Sequence, residues 1–124
     1  DMDEIETGDV IGYLKTNEMR SQEKEAMTIV IEKSPLSMQK SMTEITNLYN
    51  QQIIPEAVFV KALDRFEPLI QIYSDFGKIV LKINKTKADD SERIKVSYLK
   101  PFPIMFAFYE VIHQAMIEEG FFYD

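Results

Sequence analysis

The 124-residue sequence contains no cysteine, only one histidine and only four glycines. Without cysteine, the chain can form neither a disulfide framework nor a zinc site built from thiolates. It also lacks a glycine-rich phosphate-binding loop, a Ser-His-Asp arrangement and a cysteine nucleophile. These absences exclude small disulfide-bonded proteins, P-loop nucleotide-binding proteins and hydrolases that use a serine or cysteine nucleophile.

Positive charge is also scarce. Lysine and arginine number 14 against 21 aspartates and glutamates, which gives a net charge of −7. The basic residues are interspersed with acids, so we expect no nucleic-acid polymer as a partner. The longest apolar stretch, residues 102–117, is too short to span a membrane and contains Glu110 and His113. No signal-peptide pattern opens the sequence, and we expect a cytoplasmic protein with no membrane partner.

Apolar residues recur at three- and four-residue spacing along most of the chain, which predicts an all-α fold. A length of 124 residues suffices for one hydrophobic core, so we expect a single domain over residues 1–124, an irregular helical bundle. The predicted helices run from about Ser21 to Ile31, from Ser34 as N-cap to Tyr49, from Pro55 to a stop at Gly77, from a cap at Asp89 or Asp90 to Leu99, and from Ile104 to Glu119. Residues 78–88 have an ambiguous pattern and are predicted to form a loop that could contain a short structured segment.

Four carboxylates are the candidate functional residues. Asp1, Glu4 and Asp9 crowd the first nine positions, and Gly8 permits a turn that could bring Asp9 back toward the other two. Like charges this close repel unless a cation neutralises them, and a divalent metal is the simplest such cation. Asp64 lies four residues before Pro68, which has no N–H for the Asp64 carbonyl. Spacing alone favours the alternative, in which these acids form a solvated surface.

Three short segments carry a resemblance to a known family. The opening DMDEIETGDV resembles the stretch after the motif histidine of HD-domain phosphohydrolases, in the branch that contains the 5′-deoxynucleotidases. Residues 23–27, EKEAM, are similar to the acidic E-x-x-A-M segment of that branch, and FVKALDRFEPLIQ at 59–71 resembles the helix with its last metal-binding aspartate. The resemblance covers residues 1 to about 73, and residues 78–124 carry none of these motifs.

The resemblance implies a fold, a reaction and a role for each carboxylate. The fold is the helical bundle of HD domains, and the reaction is hydrolysis of small nucleotides such as (deoxy)nucleoside monophosphates by a metal-activated water. Asp1 and Asp64 would bind a divalent ion, which could be Mn, Co, Mg, Fe or Zn. Glu4 would orient or deprotonate the attacking water, and Asp9 would hold the substrate side or assist proton transfer. The family also implies a homodimer.

The sequence departs from the family pattern in its histidines. The family site uses one histidine directly before the position of Asp1 and another on an earlier helix, and this sequence contains neither. Its one histidine, His113, lies far from any motif and is expected to be structural. We therefore expect the chain to be the C-terminal part of an HD domain that is an enzyme when complete. The alternative is a degenerate, non-catalytic helical binding or interaction module.

Overall fold

The structure, a computed structural model, describes residues 14–124. In this range it contains six α-helices and no β-strand, so the all-α prediction is confirmed there. The helices are α1 (Asn17–Glu32), α2 (Leu36–Gln51), α3 (Pro55–Ile72), α4 (Asp75–Ile83), α5 (Ala88–Leu99) and α6 (Pro103–Glu118). Within residues 14–124, no helix combines the length and apolarity that a bilayer crossing requires. The chain divides into two compact units, an N-terminal unit up to Ala57 and a C-terminal unit from Val58 to Asp124.

The N-terminal unit pairs α1 with α2. The hydroxyl of Thr16 caps α1 by accepting from the Met19 N–H at 3.2 Å, so the helix begins at Asn17, earlier than predicted. The predicted N-cap role of Ser34 is wrong. Its hydroxyl instead donates to the Val30 carbonyl at 2.8 Å, and Pro35 occupies the cap position of α2. The serine thus closes the preceding helix, because its hydroxyl reaches a carbonyl left open at the helix end.

The C-terminal unit has a core to which every one of its helices contributes. Leu69 of α3, Leu81 of α4, Leu99 of α5 and Met116 of α6 are all buried, and α5 packs against α6. After α6, Gly120 takes a left-handed conformation with φ of 68°. The turn closes through a hydrogen bond from the Phe121 N–H to the Met116 carbonyl at 2.9 Å. This turn returns Phe121 and Phe122 to the core, where both are buried.

Residues 75–83 correct two predictions. Gly77 was expected to end the third helix, but it lies in the first turn of α4, where its N–H donates to the cap residue Ser74 at 3.1 Å. The loop predicted from residue 78 is helical as far as Ile83. A Cβ on Gly77 would overlap the carbonyl group of Ile72, so the glycine permits close approach of two backbones.

Candidate metal centre

Asp64 lies on α3 between two basic side chains. Its Oδ2 is 3.8 Å from the Nζ of Lys61 and 3.8 Å from Nη1 of Arg65, and its side chain is 33% exposed. Lys61, Asp64 and Arg65 share one helical face because they are spaced i, i+3 and i+4. The carboxylate is therefore accessible and electrostatically compensated, rather than directed into bulk solvent.

Arg65 is held in place by an aromatic ring. Its guanidinium carbon lies 5.3 Å from the centroid of the Tyr98 ring on α5. Arginine stacks well on such a ring because its charge is planar and weakly hydrated. The Nε of Arg65 is buried and has no hydrogen-bond partner within residues 14–124.

Lys95 joins α5 to α3 directly beside Asp64. Its side chain is 9% exposed, and its Nζ donates to the Arg65 carbonyl at 2.8 Å. Pro68 lies inside α3 and cannot donate to the Asp64 carbonyl, so this turn has one backbone donor fewer than a regular helix. Burial and, to a smaller extent, repulsion by Arg65 lower the pKa of Lys95 to about 8, and the attraction of Asp64 opposes them.

Of the four carboxylates predicted to form the site, the structure describes Asp64. Asp1, Glu4 and Asp9 lie outside the described residues. Within residues 14–124, no group of three or more histidine, cysteine, aspartate or glutamate side chains is placed to hold a metal. Asp64 offers the hard oxygen donor that Mg²⁺ and Mn²⁺ accept, and it fits as one ligand of such an ion.

Comparison with known proteins identifies the family. A family model described as HD domain matches residues 1–100. The chain belongs to the HD-domain family. The match includes all four predicted site residues and extends beyond the motifs through α4 and α5. No curated protein and no solved structure matches the chain significantly. HD domains are generally hydrolases and usually bind divalent metal ions.

His113 of this HD domain is a core residue. It is 4% exposed, and its ring lies 5.1 Å from that of Tyr109 and 5.2 Å from that of Phe122. Its Nδ1 is 3.8 Å from Glu92, while its Nε2 is buried without a hydrogen-bond partner among residues 14–124. One stacked and one tilted aromatic ring packed against the imidazole are the surroundings expected of a structural histidine.

The surroundings of Asp64 include four residues that the sequence analysis missed, namely Lys61, Arg65, Lys95 and Tyr98. A signal for two of them was present, because Lys61 and Arg65 flank Asp64 at a spacing that puts all three on one helical face. Lys95 lies thirty positions beyond Arg65, and its contact with that residue comes from the packing of α5 on α3.

Proposed function

We propose that this HD domain is a metal-dependent phosphohydrolase that acts on small nucleotides such as (deoxy)nucleoside monophosphates. The observation that carries the proposal is the HD-domain match over residues 1–100, which contains Asp1, Glu4, Asp9 and Asp64 in order. The accessible carboxylate of Asp64 supports it, because a metal ligand must be reachable by the ion.

Each carboxylate has a role in the proposed reaction. A bound divalent ion lowers the pKa of its water and offsets the charge of the phosphate. Asp1 and Asp64 would supply oxygen ligands to that ion. Glu4 would orient or deprotonate the attacking water, since a carboxylate within hydrogen-bond reach of a water can act as its general base. Asp9 would hold the substrate side or assist proton transfer.

The test is a phosphate-release assay on the full-length protein. Ribo- and deoxyribonucleoside monophosphates are offered in turn with Mn²⁺, Co²⁺, Mg²⁺, Fe²⁺ or Zn²⁺. We expect at least one pairing to be hydrolysed, with release abolished by a chelator. Asp64→Asn should reduce the rate about a hundredfold or more, because loss of even an outer-shell partner of a metal ligand costs ten- to a hundredfold.

The matched control is Asp89→Asn, which neutralises an exposed carboxylate in the first turn of α5. It should leave the rate unchanged. A rate insensitive to Asp64→Asn contradicts the proposal, provided that circular dichroism shows both variants folded.

One observation favours a second candidate, a non-catalytic binding module. Lys61 and Arg65 both lie 3.8 Å from Asp64, so the carboxylate is compensated by the protein's own cations. This candidate predicts that the full-length protein takes up no stoichiometric metal in elemental analysis and releases no phosphate from any nucleotide.

A further inference from the structure

Among residues 14–124, the charged side chains nearest to Asp64 are basic. Lys61 and Arg65 each lie 3.8 Å from its Oδ2, and Lys95 binds the carbonyl of the adjacent Arg65, although the chain as a whole has a net charge of −7. The next carboxylate along α3, Glu67, accepts instead from the side-chain amide of Gln71. Basic side chains clustered at one position of an acidic protein favour the binding of an anion there.

The ion pair with Asp64 leaves hydrogen-bond donors of the Arg65 guanidinium available. At 3.8 Å, the separation of Nη1 and Oδ2 is too long for a hydrogen bond. The Nε of Arg65 is buried, so the donors that can reach a ligand are those of the two terminal nitrogens. The guanidinium thus retains donors in a fork that matches the geometry of a phosphate.

Two contacts from α5 hold Arg65 in position. Tyr98 places a ring 5.3 Å from the guanidinium carbon, and the buried Lys95 binds the Arg65 carbonyl at 2.8 Å. Both supports come from α5, so the Arg65 side chain and backbone are oriented by the same neighbouring helix. Preorganised donors bind an anion more tightly, since less side-chain entropy is lost when the anion arrives.

We propose that Arg65 and Lys61 form the phosphate-binding edge of the Asp64 site, with Arg65 as the principal hydrogen-bond donor and Lys61 as a supporting charge. The ligand class is a phosphate monoester dianion or inorganic phosphate. This inference rests on the proposed function, which it deepens by assigning the contact with the substrate phosphate.

The test measures binding of inorganic phosphate, without turnover, to the full-length metal-loaded protein by titration calorimetry or ³¹P NMR. Arg65→Gln should raise the dissociation constant about tenfold or more, because a hydrogen bond to a charged group is lost. Lys61→Met should raise it severalfold. The wild-type affinity should also weaken as salt is added, because screening reduces attraction between exposed charges.

The matched controls are Arg93→Gln and Lys40→Met. Arg93 is an exposed arginine that pairs with Asp90 on α5, and Lys40 is an exposed lysine that pairs with Glu44 on α2. Both should bind phosphate with the wild-type affinity. Arg65→Lys keeps the charge but loses the planar fork, so its affinity should fall between those of Arg65→Gln and the wild type. Arg65→Lys also tests the role of the Arg65 side chain if Arg65→Gln does not fold.

The outcomes separate this inference from the proposed function. Phosphate binding that depends on Arg65, in a protein that hydrolyses no nucleotide, upholds the phosphate edge and refutes the hydrolase. Nucleotide hydrolysis in a protein whose phosphate affinity is unchanged by Arg65→Gln overturns the phosphate edge alone. Absence of phosphate binding by the wild type overturns it as well.

Discussion

Lys95→Met is expected to stabilise the protein at neutral pH. Burial lowers the pKa of Lys95 from its ordinary value of 10.5 to about 8. Since one pKa unit corresponds to about 1.4 kcal/mol, keeping this ammonium charged in the folded state costs about 3 kcal/mol below pH 8. Methionine fills similar space without that cost but loses the hydrogen bond to the Arg65 carbonyl, worth about 1 to 1.5 kcal/mol. The expected net gain is about 1–2 kcal/mol.

The sign of the pH dependence follows from proton uptake. Between about pH 8 and 10.5 the unfolded chain holds the Lys95 proton more firmly than the folded chain does, so wild-type stability should rise with pH there. Two tyrosines also have raised pKa values in the folded state. The pKa of Tyr73 is raised chiefly by its hydrogen bond to Glu119, and the pKa of Tyr109 is raised chiefly by burial. The stability that these tyrosines contribute falls as the pH rises above about 10. The range from about pH 8 to 9.5 therefore isolates the contribution of Lys95 to the pH dependence of stability.

Urea unfolding at several pH values from 7 to about 9.5 measures both effects. Wild type and Lys40→Met, which alters an exposed side chain, should become more stable over this range, while Lys95→Met should show a flatter profile. A Lys95→Met profile parallel to the wild type would refute the assigned pKa. A large loss of stability at pH 7 would show instead that the buried charge is net stabilising.

Substitutions at three further positions, Leu99, Gly77 and Ser74, test the packing and the capping of the helices. Leu99→Ala should lower the free energy of unfolding by about 2–5 kcal/mol in urea, because Leu99 is fully buried, while the exposed Leu36→Ala should change it by less than about 0.5 kcal/mol. Gly77→Ala should cost about 1–3 kcal/mol by the same assay, because its Cβ overlaps a backbone carbonyl; an unchanged midpoint would argue against that close approach. Ser74→Ala should cost about 1 kcal/mol and Ser74→Asp much less, as measured by thermal unfolding, because either side chain but not alanine caps α4.

Local signals in the sequence were enough to predict the helical class and several helix limits. Pro55 begins α3 and Leu99 ends α5, as the proline and the apolar spacing indicated. Gly77 misled the analysis because glycine is common at helix ends, where it takes positive φ. Its actual role depends on the backbone of Ile72, and such a close approach leaves no periodic signal in the sequence.

Only part of the candidate site could likewise be predicted from the sequence. Asp64 could be located because a short motif and its order in the chain identify it, and the HD-domain match covers that position. The contact of Lys95 could not be predicted, since it bridges thirty residues and depends on how α5 packs against α3. Pro68 gave an indirect hint that the backbone near Asp64 is irregular, because a proline within a helix leaves the carbonyl four residues earlier without its usual donor.

The proposed metal and phosphate roles of this turn of α3 are thermodynamically coupled. Asp64 is the counter-ion of Lys61 and Arg65, each 3.8 Å from its Oδ2. When Asp64 binds a divalent ion, its negative charge is shared between that ion and the two basic side chains. Lys61 and Arg65 then lie close to an additional positive charge. A phosphate dianion relieves this repulsion by contacting the cations and the metal together. Phosphate should therefore tighten metal binding, and by linkage the metal should tighten phosphate binding by the same factor. In Arg65→Gln, where one cation is absent, that mutual enhancement should be smaller.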